Sequence, residues 1–82
     1  MYEIILSDKA QKQLNKFDKK LQERIVSVLE RIKFKPERHV QKLVGREEFK
    51  LRIGHYRAIL EIDSKKQLIA VLKIGHRKNI YK

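Results

Sequence analysis

Lys50, Arg52 and Arg57 are spaced so that one face of a short hairpin collects three cations. Phe49-Lys50-Leu51-Arg52-Ile53 alternates apolar and charged residues, the period of a strand with one buried face. Gly54-His55 reads as a two-residue turn, with glycine suited to the first position of a type II′ turn, and Tyr56 to Ile62 reads as the returning strand. Such a turn pairs Ile53 with Tyr56, Arg52 with Arg57 and Lys50 with Ile59. Phe49, Leu51, Ile53, Tyr56, Ala58, Leu60 and Ile62 then share the opposite face. Directly opposed like charges destabilise a sheet, so this arrangement anticipates an anion.

The chemistry open to such a cluster is metal-free cleavage of an RNA phosphodiester. One group must take the proton of the ribose 2′-OH, another must stabilise charge on the phosphoryl oxygens, and a third must protonate the departing 5′-oxygen. Clustered cations supply the second function directly. Arg52 and Arg57 are candidate phosphate clamps, because a planar guanidinium contacts two oxygens at once. Crowded positive charge favours proton loss from a lysine in its midst, which makes Lys50 the candidate base. The tail Gly75-His76-Arg77-Lys78-Asn79-Ile80-Tyr81-Lys82 adds Arg77 as a further phosphate contact and Tyr81 as either a stacking platform for an unpaired base or a packing anchor near the terminus. His76 brings an imidazole, the side-chain type that exchanges protons near neutral pH. His55 reads as a solvated turn residue, and His39 follows Arg38 in a polar connector with no chemical partner in the pattern. No nucleophile elbow, glycine-rich phosphate loop or paired-carboxylate motif is present.

The elements that must position these groups are legible along the chain. Tyr2 to Leu6 is a β-rich segment. Ser7 is placed to cap a helix whose apolar face is Ala10, Leu14 and Phe17, and Asp8 suits its first turn. Asp18 is a second cap, leading into the stripe Leu21, Ile25, Val28, Leu29 and Ile32. Pro36 closes this helical hairpin, and His39 to Gly45 reads as a connector. After the cationic hairpin, Asp63 to Lys66 turns the chain into a last strand from Gln67 to Ile74. That strand is apolar on both faces, so it is expected in the sheet interior, with a register the pattern does not fix. The order β-α-α-β-β-β predicts an α+β domain over 1–82: a helical hairpin packed on one face of a mainly antiparallel four-stranded sheet.

The 82-residue length suits one modest core. Hydrophobic residues make up 41%, too many for a disordered chain. Lys and Arg number 21 against 10 Asp and Glu, a formal net charge of +11 that favours a polyanionic partner. Cysteine is absent and His39, His55 and His76 lack metal-ligand spacing, so no metal or cofactor is expected. No signal peptide or membrane-length run stands out, and a cytoplasmic protein without membrane association is expected.

Phe49 to Arg57, with Leu43-Val44-Gly45 upstream and Lys73-Ile74-Gly75-His76-Arg77 downstream, resembles the RelE toxin family of toxin–antitoxin systems. The likeness covers essentially the whole chain. It implies a RelE-like microbial RNase fold and an mRNA interferase, a toxin that enters the ribosomal A site and cuts mRNA to leave a 2′,3′-cyclic phosphate and a 5′-hydroxyl. Lys50 and Arg52 fall at two basic positions of the family's second strand, Arg57 at the arginine of its Gly-x-Tyr-Arg segment, Arg77 at the arginine after the last strand, and Tyr81 at the base-stacking tyrosine. The family assigns the general base to the position held here by Arg52. An arginine stays protonated, which moves that role to Lys50 or leaves catalysis to electrostatics and orientation. His76 is similar to a C-terminal histidine that some relatives use as an acid, at a different offset. The implied partners are the ribosome, with 16S rRNA contacts through the basic surface, mRNA, and a cognate antitoxin that is acidic or carries an amphipathic helix. Longer relatives have a C-terminal helix that is absent after Tyr81, so inhibition is expected by covering the basic face or by bulk. Two other readings use the same residues: a ParE-like toxin acting on DNA gyrase, and a non-catalytic basic nucleic-acid-binding module.

Overall fold

The structure is a computed structural model that describes residues 1–80. Strand β1 (Glu3–Leu6) leads into helices α1 (Asp8–Lys16) and α2 (Lys19–Ile32), then a single 3₁₀ turn at Pro36–Arg38. Strands β2 (Val40–Lys42), β3 (Phe49–Ile53), β4 (Tyr56–Asp63) and β5 (Leu68–His76) follow. They form one five-stranded sheet in the order β1-β5-β4-β3-β2, antiparallel except where β1 runs parallel to β5. The α+β class and the helical hairpin on one face are as the sequence predicts. The expected count of four strands is corrected to five, because Val40-Gln41-Lys42 of the connector pairs with β3 as an edge strand. No described helix is long and apolar enough to cross a membrane.

Ser7 and Asp18 start the two helices as their types dictate, each accepting a backbone N–H with its side-chain oxygen, from Ala10 at 3.0 Å and from Leu21 at 2.8 Å. Ala10, Leu14, Ile25, Leu29 and Ile32 of the helices bury against Leu51, Ile53, Ala58, Leu60, Ile69, Val71 and Ile74 of the sheet. This one-sided packing leaves the opposite sheet face without a helix. Whatever alternates outward on β2 to β5 stands on that open face.

The β3–β4 register agrees with the two-residue turn, with Ile53 opposite Tyr56, Arg52 opposite Arg57 and Lys50 opposite Ile59. Gly54 carries φ +60°, so the backbone conformation of the turn calls for glycine. β5 is interior, as expected, and its apparent two-sidedness has a specific origin. Ile59 pairs with Lys73 while Leu60 pairs with Val71, which leaves Leu72 as the extra residue of a β-bulge. The bulge changes the parity of the strand, so that Ile69, Val71 and Ile74 all reach the core despite unequal spacing.

α1 satisfies the backbone of β5 around and beyond this bulge. The Ser7 hydroxyl donates to the Leu72 carbonyl at 2.7 Å, and the Ile74 N–H donates to Gln13 Oε1 at 2.7 Å. Ser7 therefore serves the α1 N-terminus and the bulge with one hydroxyl. Ser7→Ala should lower stability by about 2 kcal/mol, the upper end for a lost cap because a half-buried carbonyl loses its donor too. Urea denaturation at constant m-value checks this.

Candidate functional site: a cationic cleft on the open sheet face

The paired strands set two parallel rows of side chains across the open face. One row runs Gln41, Lys50, Ile59, Lys73 through consecutive pairings from β2 to β5. The next runs Arg52, Arg57, Gly75, and the β2–β3 register carried one residue further sets His39 at its β2 end. Val40, between His39 and Gln41, packs on the core, which turns its two neighbours outward.

His39, Gln41, Lys50, Arg52 and Arg57 together line a cleft of about 170 Å³. Sites that engulf a small organic ligand run to roughly 300–1,000 Å³. The volume suits a single charged group such as a phosphodiester, approached along an extended strand, better than a whole metabolite. Lys50 and Arg57 are half-buried while Arg52 is exposed. Among the described residues, no carboxylate lies within salt-bridge distance of Lys50, Arg52 or Arg57. The facing Arg52 and Arg57 have Cβ atoms about 4.5–5.5 Å apart, as for any directly opposed pair. Their repulsion is met by nothing within the described chain.

Carboxylates gather elsewhere on the same face. Glu47, Glu61 and Asp63 border a second, shallower depression with Lys65, Leu68 and Ala70, toward the β4–β5 turn. The open face is thus positive near the β3–β4 turn and carries its acidic groups at the far end of β4.

The remaining sequence candidates fall in different places. Arg77 is exposed, its N–H donating to the His55 carbonyl at 2.9 Å, so it stands beside the β3–β4 turn and not among the cleft-lining residues. His76 is paired with Tyr56 on the face opposite Arg57. Its ring packs edge-on to Tyr56 at 5.4 Å and stacks on His55 at 6.5 Å between centroids, and its Nδ1 accepts the Lys78 N–H at 3.2 Å. The structure therefore separates His76 from the cleft and gives it a packing role at the end of the sheet. His55 is an exposed turn residue, as the sequence predicts, with its ring alongside that of His76. Tyr81 lies outside the described residues.

His39 and Gln41 were hidden by reading residues 39–45 as a plain connector. The signal for them is the triplet His39-Val40-Gln41, a polar–apolar–polar alternation too short to stand out as a strand alone. Gly75 also has a reason in the structure. Ile80 is buried, and its Cδ1 lies 3.3 Å from where a Cβ on Gly75 would be. The tail, turned by N–H bonds from Asn79 and Ile80 to the His76 carbonyl, closes that end of the rows. Among the described residues no group of three His, Asp or Glu side chains converges as a metal site would require.

The family model for the ParE toxin of the type II toxin–antitoxin system parDE matches residues 4–81 of this chain. Solved structures with the same fold include the RelBE2 toxin–antitoxin complex of Mycobacterium tuberculosis, at TM-score 0.85 and 23% identity over 93% of this chain and 98% of that one. The archaeal RelE–RelB complex of Pyrococcus horikoshii OT3 superposes at TM-score 0.80 with 25% identity, covering 95% and 97%. The YoeB/ParE toxin of Agrobacterium tumefaciens reaches TM-score 0.78 at 14% identity, covering 92% and 98%. No curated protein matches in sequence.

An uncompensated pair of arginines should cost stability in the absence of an anion. Arg52→Gln should raise the free energy of unfolding at low ionic strength by a few tenths to about 1 kcal/mol, with the gain shrinking as salt screens the pair. Parallel urea titrations at low and high salt read both effects.

Proposed function

Because this chain belongs to the ParE toxin family of type II toxin–antitoxin systems, within the RelE/ParE superfamily, we propose that it is a toxin that cuts mRNA on the ribosome. The observation that carries this reading is the unpaired set Lys50, Arg52 and Arg57, held by paired strands around a cleft sized for a phosphodiester. In-line attack of a ribose 2′-oxygen on the adjacent phosphorus places extra negative charge on the phosphoryl oxygens. Fixed cations in a partly desolvated cleft stabilise that charge more than they stabilise the ground state. The O2′–P bond forms as the P–O5′ bond breaks, giving a 2′,3′-cyclic phosphate and a 5′-hydroxyl. Arg57, half-buried and central in its row, is the principal transition-state contact. Arg52 and Lys50 flank it, and Arg77 stands beside the adjoining turn as a further cation for the same strand.

The ribosome supplies what a small cleft lacks. An open face binds any polyanion loosely, and the A site presents one mRNA segment in an extended form. The strongly positive chain is suited to rRNA at the same time. An antitoxin is the second partner, since the M. tuberculosis and P. horikoshii relatives are complexes of that kind. It would silence this toxin by covering the cationic face with acidic or helical segments, or by bulk that bars the A site.

A second reading is a ParE-like toxin acting on DNA gyrase, and the match to the family model for the ParE toxin of parDE keeps it in view. Such a toxin needs a protein-binding surface and no phosphate-cleaving cleft, so it leaves Lys50, Arg52 and Arg57 without a task. A non-catalytic basic module would use the same charges for binding alone.

Arg57→Ala separates these readings. A nuclease should lose single-turnover cleavage of ribosome-bound mRNA by orders of magnitude while ribosome affinity falls only modestly, because the lost contact acts in the transition state. Matching losses in cleavage and affinity would favour a binder. Gyrase inhibition that survives the substitution would favour the ParE-type activity.

A further inference from the structure

We propose that His39 is the general base of the cleft, an inference that rests on the nuclease reading above. The cleft is lined by two guanidinium groups, one ammonium, one amide and one imidazole. A guanidinium keeps its proton throughout the range in which proteins work, and an ammonium ordinarily does so at neutral pH. An amide is not basic. The imidazole is the one side-chain type in the set that carries a free lone pair near neutrality.

Position supports the assignment. The antiparallel register places His39 across from Arg52, at the end of the row that contains Arg57. A phosphate held between those arginines has a ribose beyond each end of the row, and His39 stands at the β2 end. The backbone of His39 is held where the 3₁₀ turn ends, its N–H donating to the Pro36 carbonyl at 3.0 Å with Pro36 itself buried. A fixed backbone and an exposed ring suit a group that must meet a bound hydroxyl.

The three histidines also divide by circumstance. Neither His55 nor His76 lines the cleft, and His76 Nδ1 accepts the Lys78 N–H. Among the described residues the His39 ring makes no hydrogen bond, which leaves both nitrogens for substrate. The charged groups that face it are Arg52 and Lys50 from β3 and Arg57 from β4, with Glu37 and Arg38 beside it in its own turn. The proton balance closes within the cleft. His39 takes the 2′-OH proton as O2′ bonds to phosphorus, and the Lys50 ammonium gives a proton to the 5′-oxygen as the P–O5′ bond breaks. Lys50, the base suggested by the hairpin pattern alone, becomes the acid, standing across from Gln41 in the row next to the imidazole.

The test compares wild type, His39→Ala and Arg57→Ala on mRNA-programmed ribosomes, with single-turnover rates measured with and without added free imidazole. His39→Ala should lose about 10²-fold or more in rate, bind ribosomes as wild type does, and regain much of its rate with imidazole. Arg57→Ala should not respond to imidazole. His39→Ala that cuts at the wild-type rate, or a loss that imidazole leaves unchanged, overturns the role of His39 while wild-type cleavage keeps the nuclease reading intact. Wild type that cuts nothing overturns the nuclease reading and the base assignment together.

Discussion

Everything at the cleft depends on the β3–β4 register. Gly54 makes a two-residue turn at positive φ, and that turn sets Ile53 against Tyr56 and Arg52 against Arg57. The same register sends Leu51, Ile53, Ala58 and Leu60 into the core. Burying each larger apolar side chain contributes roughly 1.5–3 kcal/mol, while an opposed like-charge pair costs at most about 1 kcal/mol. A one-residue slip would reverse every side chain and put the cations into the core. The fold therefore tolerates the facing arginines, because the alternative is far worse. Function enters through this asymmetry: core burial on one face holds repelling charges in place on the other.

The rest of the sheet serves to keep that face open and flat enough to use. Helices pack on one side only. The bulge at Leu72 lets β5 keep Ile69, Val71 and Ile74 in the core while Lys73 and Gly75 complete the rows of the open face. Its irregular carbonyl is taken by Ser7 and the nearby Ile74 N–H by Gln13, so α1 anchors β5 where β1 no longer flanks it. Gly75 leaves room for Ile80, which closes the end of the arginine row. Small residues and a bulge, features that weaken an isolated strand, here shape the border of the cleft.

Local chemistry made much of this legible before the fold was known. The alternation Phe49 to Ile53 and the glycine turn specify the hairpin and its cationic face. Ser7 and Asp18 mark both helix starts by their capping oxygens. The parts that were not legible depend on pairing at a distance. β2 is three residues long, and only its partner strand makes it one, so His39 looked like a connector residue. The register of β5 was hidden by a bulge that breaks the period-two pattern. His76 looked available for catalysis because sequence shows its distance along the chain from Arg57, not that Tyr56 lies across from it on the other face. Long-range register, more than residue type, decided which histidine entered the site.

The proposed function requires this cationic face to hold the scissile phosphate of mRNA while the toxin sits in the ribosome. Mapping RNA 5′ ends after adding the purified chain to mRNA-programmed ribosomes, with naked mRNA alongside, tests it most directly. Cuts confined to the A-site codon, bearing 5′-hydroxyl ends, and no cuts in naked mRNA are expected. Intact mRNA on ribosomes that have bound the chain would contradict it.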